Sequence, residues 1–194
     1  MASIDKEKEK MYNDCKNLIV SEITEALGKV NEEQIEMLIN AILDADTVFL
    51  TGVGRVLISL QSFCKRLNHL GIKAYCVGEI NEPAATPRSL LIAGSGSGES
   101  VCPVAIVKKA HSLGVKIAHI GSNPDSSMKE YTDIFVRVPV KTKLNLEDEI
   151  ESEQIMSSLF EQCVFILGDA VSMTIAEKKK INVKELWQYH ANLE

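Results

Sequence analysis

Seven consecutive residues, Gly94-Ser95-Gly96-Ser97-Gly98-Glu99-Ser100, place three hydroxyls and three glycines between the apolar run Leu90-Leu91-Ile92-Ala93 and a stretch with helical spacing. Serine hydroxyls donate to phosphate oxygens, and the glycines let successive amides turn inward at the positive end of a helix. That is the chemistry of a phosphate site. No lysine stands at the Walker position, which disfavours a nucleotide triphosphate loop. The bland alternative is a flexible Gly/Ser turn with a helix cap, which seldom needs seven residues of this kind.

Two further loops follow apolar runs. Gly52-Val53-Gly54-Arg55 opens a helix, where small residues let a ligand approach the backbone and Arg55 can meet a phosphate or an oxyanion; a structural salt bridge is the alternative role for Arg55. Leu57 stands where a dinucleotide fingerprint has its third glycine, so a Rossmann cofactor site is disfavoured. In Gly121-Ser122-Asn123-Pro124-Asp125-Ser126, the pattern predicts Asn123 capping a helix with Pro124 at its first position, and Ser122 at the edge of the site. Glu161 is an acidic residue inside an otherwise apolar helical stretch from Ile155 to Leu167, which makes it either a site carboxylate or part of a solvated stripe. His190 lies near the chain end.

The elements that must hold these residues follow from periodicity. Met11, Cys15, Leu18, Ile19, Ile23 and Ala26 recur at helical spacing over about 6–27, ending at Gly28. Asn31 with Gln34 three residues later is a capping-box pattern opening a second helix. Strands are predicted at Thr47–Thr51, Lys73–Val77, Ser89–Ala93, Val115–Ile120 and Asp133–Val138. Helices are predicted after the first loop, at about 101–112, after Pro124 and over about 153–178. Nearly continuous apolar strands alternating with helices imply a parallel sheet covered on both faces, a three-layer α/β fold of flavodoxin-like type. In such a sheet ligands bind outside the carboxyl ends of the strands, where these loops lie. Pro139 through Ser152, with Lys141, Lys143, Glu147, Asp148, Glu149 and Glu151, reads as an exposed loop rather than a domain boundary.

One domain is expected over 1–194, with N-terminal helices over 1–44, the parallel core over 45–140, and helices and a tail over 153–194. The 45% apolar and 25% charged composition excludes a disordered or fibrous chain. The net charge of −6 argues against a basic nucleic-acid binder. Phosphate capture would then rest on hydroxyls, loop amides and a helix end. No apolar run is read as long enough for a membrane span, and the mixed charges of residues 5–10 are unlike a signal peptide, so a cytoplasmic protein is expected. Cys15, Cys64, Cys76, Cys102 and Cys163 are scattered and odd in number; they are read as buried reduced thiols, with no disulfide framework or metal site.

Ser95-Gly96-Ser97-Gly98-Glu99-Ser100, Ser122-Asn123-Pro124-Asp125-Ser126 and the ending His190-Ala191-Asn192-Leu193-Glu194 resemble the sugar isomerase (SIS) domain family, in its 6-phospho-3-hexuloisomerase branch. The likeness extends to Arg66–Gly71, Val77-Gly78-Glu79 and Ser158–Gln162. It implies a five-stranded parallel sheet, a homotetramer built as a dimer of dimers, and reversible conversion of D-arabino-hex-3-ulose 6-phosphate to fructose 6-phosphate without a cofactor. It also implies Glu161 as the base that moves a proton next to the carbonyl, with His190 folding back into a site of its own or a neighbouring subunit. The substrate and its phosphate are expected on Gly54, Arg55, Ser95, Gly96, Ser97, Gly98, Glu99, Ser100 and Ser122.

The chain departs from the family pattern at Val56, where a hydroxyl is usual, and over residues 81–89. There Glu82 would weaken anion binding if it faced the pocket. A non-catalytic sugar-phosphate-binding protein and an isomerase of another sugar phosphate are the alternatives. Arg66, His69 and Glu79 are candidates of lesser weight, and His111 and His119 carry no partner pattern.

Overall fold

The computed structural model describes residues 2–190 and Leu193. Ala191, Asn192 and Glu194 of the C-terminal motif lie outside the described residues.

Two helices, α1 (Ala2–Gly28) and α2 (Glu32–Asp44), precede the first strand. Asn31 caps α2 by accepting from the amides of Glu33 and Gln34. The expected capping box is only half made, because the Gln34 side chain instead accepts from the Arg137 amide in the sheet. Then come β1 (Thr47–Thr51), α3 (Gly54–His69), β2 (Ala74–Cys76), β3 (Ser89–Gly94), α4 (Val101–Ser112), β4 (Lys116–Gly121), β5 (Ile134–Arg137) and α5 (Ser158–Lys178). All five strands are parallel, in the order β2-β1-β3-β4-β5. The chain leaves β1 for opposite sides of the sheet, so the loops after β1 and β3 diverge at a switch point where a crevice must open.

Strand alternation sorts the core into two layers. Val48, Leu50, Leu90, Ile92, Ala118 and Ile120 pack with α1, α2, α3 and α5 on one face. Phe49, Leu91, Ala93 and Ile117 pack with α4 on the other. The three-layer αβα architecture is therefore as expected.

Several expectations are corrected. No α-helix follows Pro124: Asn123 Oδ1 accepts from the Asp125 amide, its Nδ2 donates to the Ser97 carbonyl, and only a 3₁₀ turn at Lys129–Tyr131 forms. α5 begins at Ser158 rather than near 153, since Met156 takes φ 57° and interrupts helical geometry. The tail helix, Val183–Tyr189, is of 3₁₀ type. Cys15 and Cys102 are exposed, while Cys64, Cys76 and Cys163 are buried. α5 is long and apolar enough to cross a membrane by composition, contrary to the reading that no run approached this length. Here it is a core helix, burying Leu159, Phe160, Cys163, Val164, Leu167, Val171 and Ile175.

Candidate functional site

Beyond β1 and β3 lies a cavity of about 620 Å³. Its walls bring together Gly54 and Arg55 from the first loop, Ser95, Gly96, Ser97 and Ser100 from the second, and Glu161 from α5. These residues lie as much as 107 positions apart, Gly54 to Glu161, and the switch point makes them neighbours.

Each is positioned by local chemistry. Gly54 opens α3 with φ 59°, which a residue with a Cβ adopts only under strain. Gly98 has φ 67°, and a Cβ there would stand 2.2 Å from that of Ser126, so the tight serine loop requires glycine at this point. Ser95 Oγ accepts from the Gly98 amide at 3.1 Å and lies 3.2 Å from Ser100 Oγ. Ser100 stands at the N-cap of α4 without making a side-chain cap bond, so its hydroxyl faces the loop instead of closing the helix. The positive end of α4 is thereby left toward the cavity.

Glu161 is 7% exposed, and its carboxylate pairs with the Arg55 guanidinium. The Ser59 hydroxyl donates to the Glu161 carbonyl at 2.8 Å, tying α5 to α3. Arg55 itself is two-thirds open to solvent. The pair therefore contributes little to stability, and its value is geometric: a buried carboxylate beside a solvent-exposed cation at the cavity wall.

Other expected residues lie elsewhere. Gly98 shapes the loop without lining the cavity. Glu99 turns away to bond the Ser127 amide at 2.7 Å and hydroxyl at 2.6 Å; the Ser127 hydroxyl and amide hold its carboxyl below the usual range against the opposing effect of burial. Ser122 donates to Glu149 at 2.7 Å, so its hydroxyl is already engaged. His190 lines a different cavity with Arg66, His69 and Trp187, its ring 5.5 Å from His69 and 5.3 Å from Trp187. One chain does not bring His190 to its own Glu161 cavity. Glu82 bonds the Gly78 amide and lines a separate cavity beside α4, away from the serine loop, whereas Val56 does stand on the site wall.

Some members of the site carried no clear sign in the sequence. His119, 1% exposed on β4, lies beneath the serine loop with Nε2 3.0 Å from the Ser95 carbonyl. A carbonyl only accepts, so Nε2 carries the proton. Burial pushes the imidazole pKa down, against a smaller upward effect of that bond. A polar residue inside the apolar run Val115–Ile120 was the available signal. The segment Pro139–Ser152 is not a free loop either: Val140 and Ile150 pair and are buried, Glu149 is 8% exposed, and Lys141, Thr142 and Lys143 line the cavity. Among the described residues no three His, Cys, Asp or Glu side chains gather as a metal-ligand set.

No protein-family model matches the chain. It is 35% identical over 176 residues to the 3-hexulose-6-phosphate isomerase of Bacillus subtilis (strain 168), an overlap spanning 91% of this chain and 95% of that protein. It is 33% identical over 178 residues to the enzyme of the same name from Mycobacterium gastri, covering 92% of this chain and 89% of the other. A solved structure from Methanococcus jannaschii, described as inferring a molecular function of 3-hexulose-6-phosphate isomerase, superimposes with a TM-score of 0.81 at 28% identity, over 93% of this chain and 99% of that one. With a parallel sheet in this order, a serine loop at its switch point and relatives matched over almost their whole length, the chain belongs to the 3-hexulose-6-phosphate isomerase family of phosphosugar isomerases.

Proposed function

We propose that this chain interconverts D-arabino-hex-3-ulose 6-phosphate and fructose 6-phosphate, with Glu161 as the base. The carboxylate takes the proton from C2 of the 3-ketose, and the electron pair moves onto the C3 carbonyl oxygen to form an enediolate. The proton then returns to C3 while the C2 hydroxyl gives its proton to the oxygen on C3 and becomes the carbonyl, so atoms and charge balance without a redox partner. Arg55, already beside Glu161, offers its guanidinium to the developing oxyanion. Ser95, Ser97 and Ser100, with the amides at the start of α4, receive the phosphate.

The observation that carries this reading is the convergence of a buried carboxylate, a cation and the serine loop on one cavity large enough for a hexose phosphate. His190 fits as a proton shuttle for ring opening only from a neighbouring protomer, since its own chain holds it beside His69. That agrees with a homotetrameric assembly, for which the exposed apolar side chains Ile58, Phe165 and Met173 on α3 and α5 supply a contact face. The test is turnover: purified protein given the 3-ketose phosphate without added metal is expected to yield fructose 6-phosphate, and an unchanged substrate would overturn the proposal.

A further inference from the structure

Three cations line the cavity: Arg55, Lys141 and Lys143. Arg55 is paired with Glu161, and Lys141 Nζ lies 2.5 Å from Glu151. Among the described residues Lys143 has no carboxylate within ion-pair distance. Its charge does reach Glu99, whose carboxyl it helps to hold down, but at longer range than an ion pair, so a phosphate dianion entering this cavity meets two cations held in ion pairs and a third that is in none.

The strap that carries Lys143 is built to hold still. Glu149, itself buried, accepts from the Ser122 hydroxyl at 2.7 Å, the Leu146 amide at 2.9 Å, and the Thr142 amide and hydroxyl at 3.2 Å each. Four donors on one buried carboxylate close the strap on itself and fasten it to the loop after β4. Its far end is clasped in the same way: Glu22 of α1 accepts from the Ser152 hydroxyl at 2.6 Å and from the Glu153 amide and the Gln154 side chain at 2.9 Å each. Lys141 and Ile150 share a backbone bond at 2.9 Å between the clasps. A polar surface loop with no role toward a ligand needs no such pair of buried carboxylates.

We propose that Lys143 is a substrate-binding residue, the cation that reads the phosphate over the serine loop, and that Glu149 and Glu22 are positioning residues that hold its strap across the cavity. This deepens the isomerase reading and rests on it for the identity of the sugar, while the claim on phosphate stands on the cavity alone. The serine loop supplies directional donors and Lys143 supplies charge, so the lysine should govern affinity and its salt dependence more than the rate of the chemical step.

The test is isothermal titration of the full chain with inorganic phosphate and with fructose 6-phosphate. Lys143→Ala is expected to weaken both by about tenfold or more, the size of a lost charge-assisted hydrogen bond, and to flatten the rise of Kd with salt. Lys143→Arg is expected to restore affinity to within about threefold, and Lys141→Ala to change it by no more than that, since that lysine is already paired. Wild-type phosphate affinity in Lys143→Ala, with Ser97→Ala weakened, would overturn the assignment and leave the serine loop as the whole site. Phosphate binding that depends on Lys143 in a chain that leaves the 3-ketose phosphate unchanged would overturn the isomerase reading and keep this one.

Discussion

His119 and Glu161 are both polar side chains set into apolar runs, and they differ in what the chain gives them to face. Glu161 meets Arg55 at a cavity wall, whereas His119 is sealed under the serine loop with one carbonyl partner. For His119, burial outweighs that hydrogen bond and disfavours the proton. Below the ordinary imidazole value of 6.5, the unfolded chain takes up a proton that the folded chain refuses. Its stabilising contribution is therefore complete above that pH and is lost as pH falls through the lower folded value. Urea unfolding at pH 7.5 and 5.5 is expected to show the wild type losing more stability on acidification than His119→Gln, which retains a donor for the Ser95 carbonyl without a titrating ring. Equal losses would contradict this assignment. Glu161 was legible because the family likeness and the apolar flanks agreed. His119 was not, because its partner is a backbone carbonyl 24 residues away. Ser122 shows the same blindness in reverse, since its hydroxyl looked available until Glu149 claimed it.

At the level of elements, strands were legible to within a residue or two, because a run buried on both faces must be apolar from end to end. The helices on either side were legible from spacing and from Gly71 after α3, which takes φ 75°. Two elements escaped for the same reason: a side chain outcompeted the local pattern. Asn123 spends its side chain on the Asp125 amide and the Ser97 carbonyl, so the predicted helix after Pro124 gives way to turns. Residues 152–154 bond Glu22 on α1, and α5 starts only after Met156. The strap over 139–152 is exposed at Lys143, Glu147, Asp148 and Glu151, as its charges predict, but among them sits a buried carboxylate, Glu149, whose four donors are spread over residues 122–146. Charge in a sequence marks solvent exposure only where nothing folds back to satisfy it.

For the whole molecule, a net charge of −6 looked unfavourable to an anionic ligand. The fold answers this locally: at the cavity Arg55 and Lys141 offset Glu161 and Glu151, and Lys143, in no ion pair, stands there with the start of α4. The apolar side chains on the outer faces of α3 and α5 carry the expectation of assembly. Sedimentation is expected to give the mass of four chains, and a monomer would contradict the proposal that His190 serves a neighbouring protomer. If Glu161 moves the proton, the decisive variant is Glu161→Gln, an isosteric change that keeps the cavity and removes the base. The turnover number is expected to fall by a factor on the order of 100 to 10,000, the usual contribution of a general base, with fructose 6-phosphate affinity held within about threefold. A variant that turns over at the wild-type rate would contradict that role for Glu161.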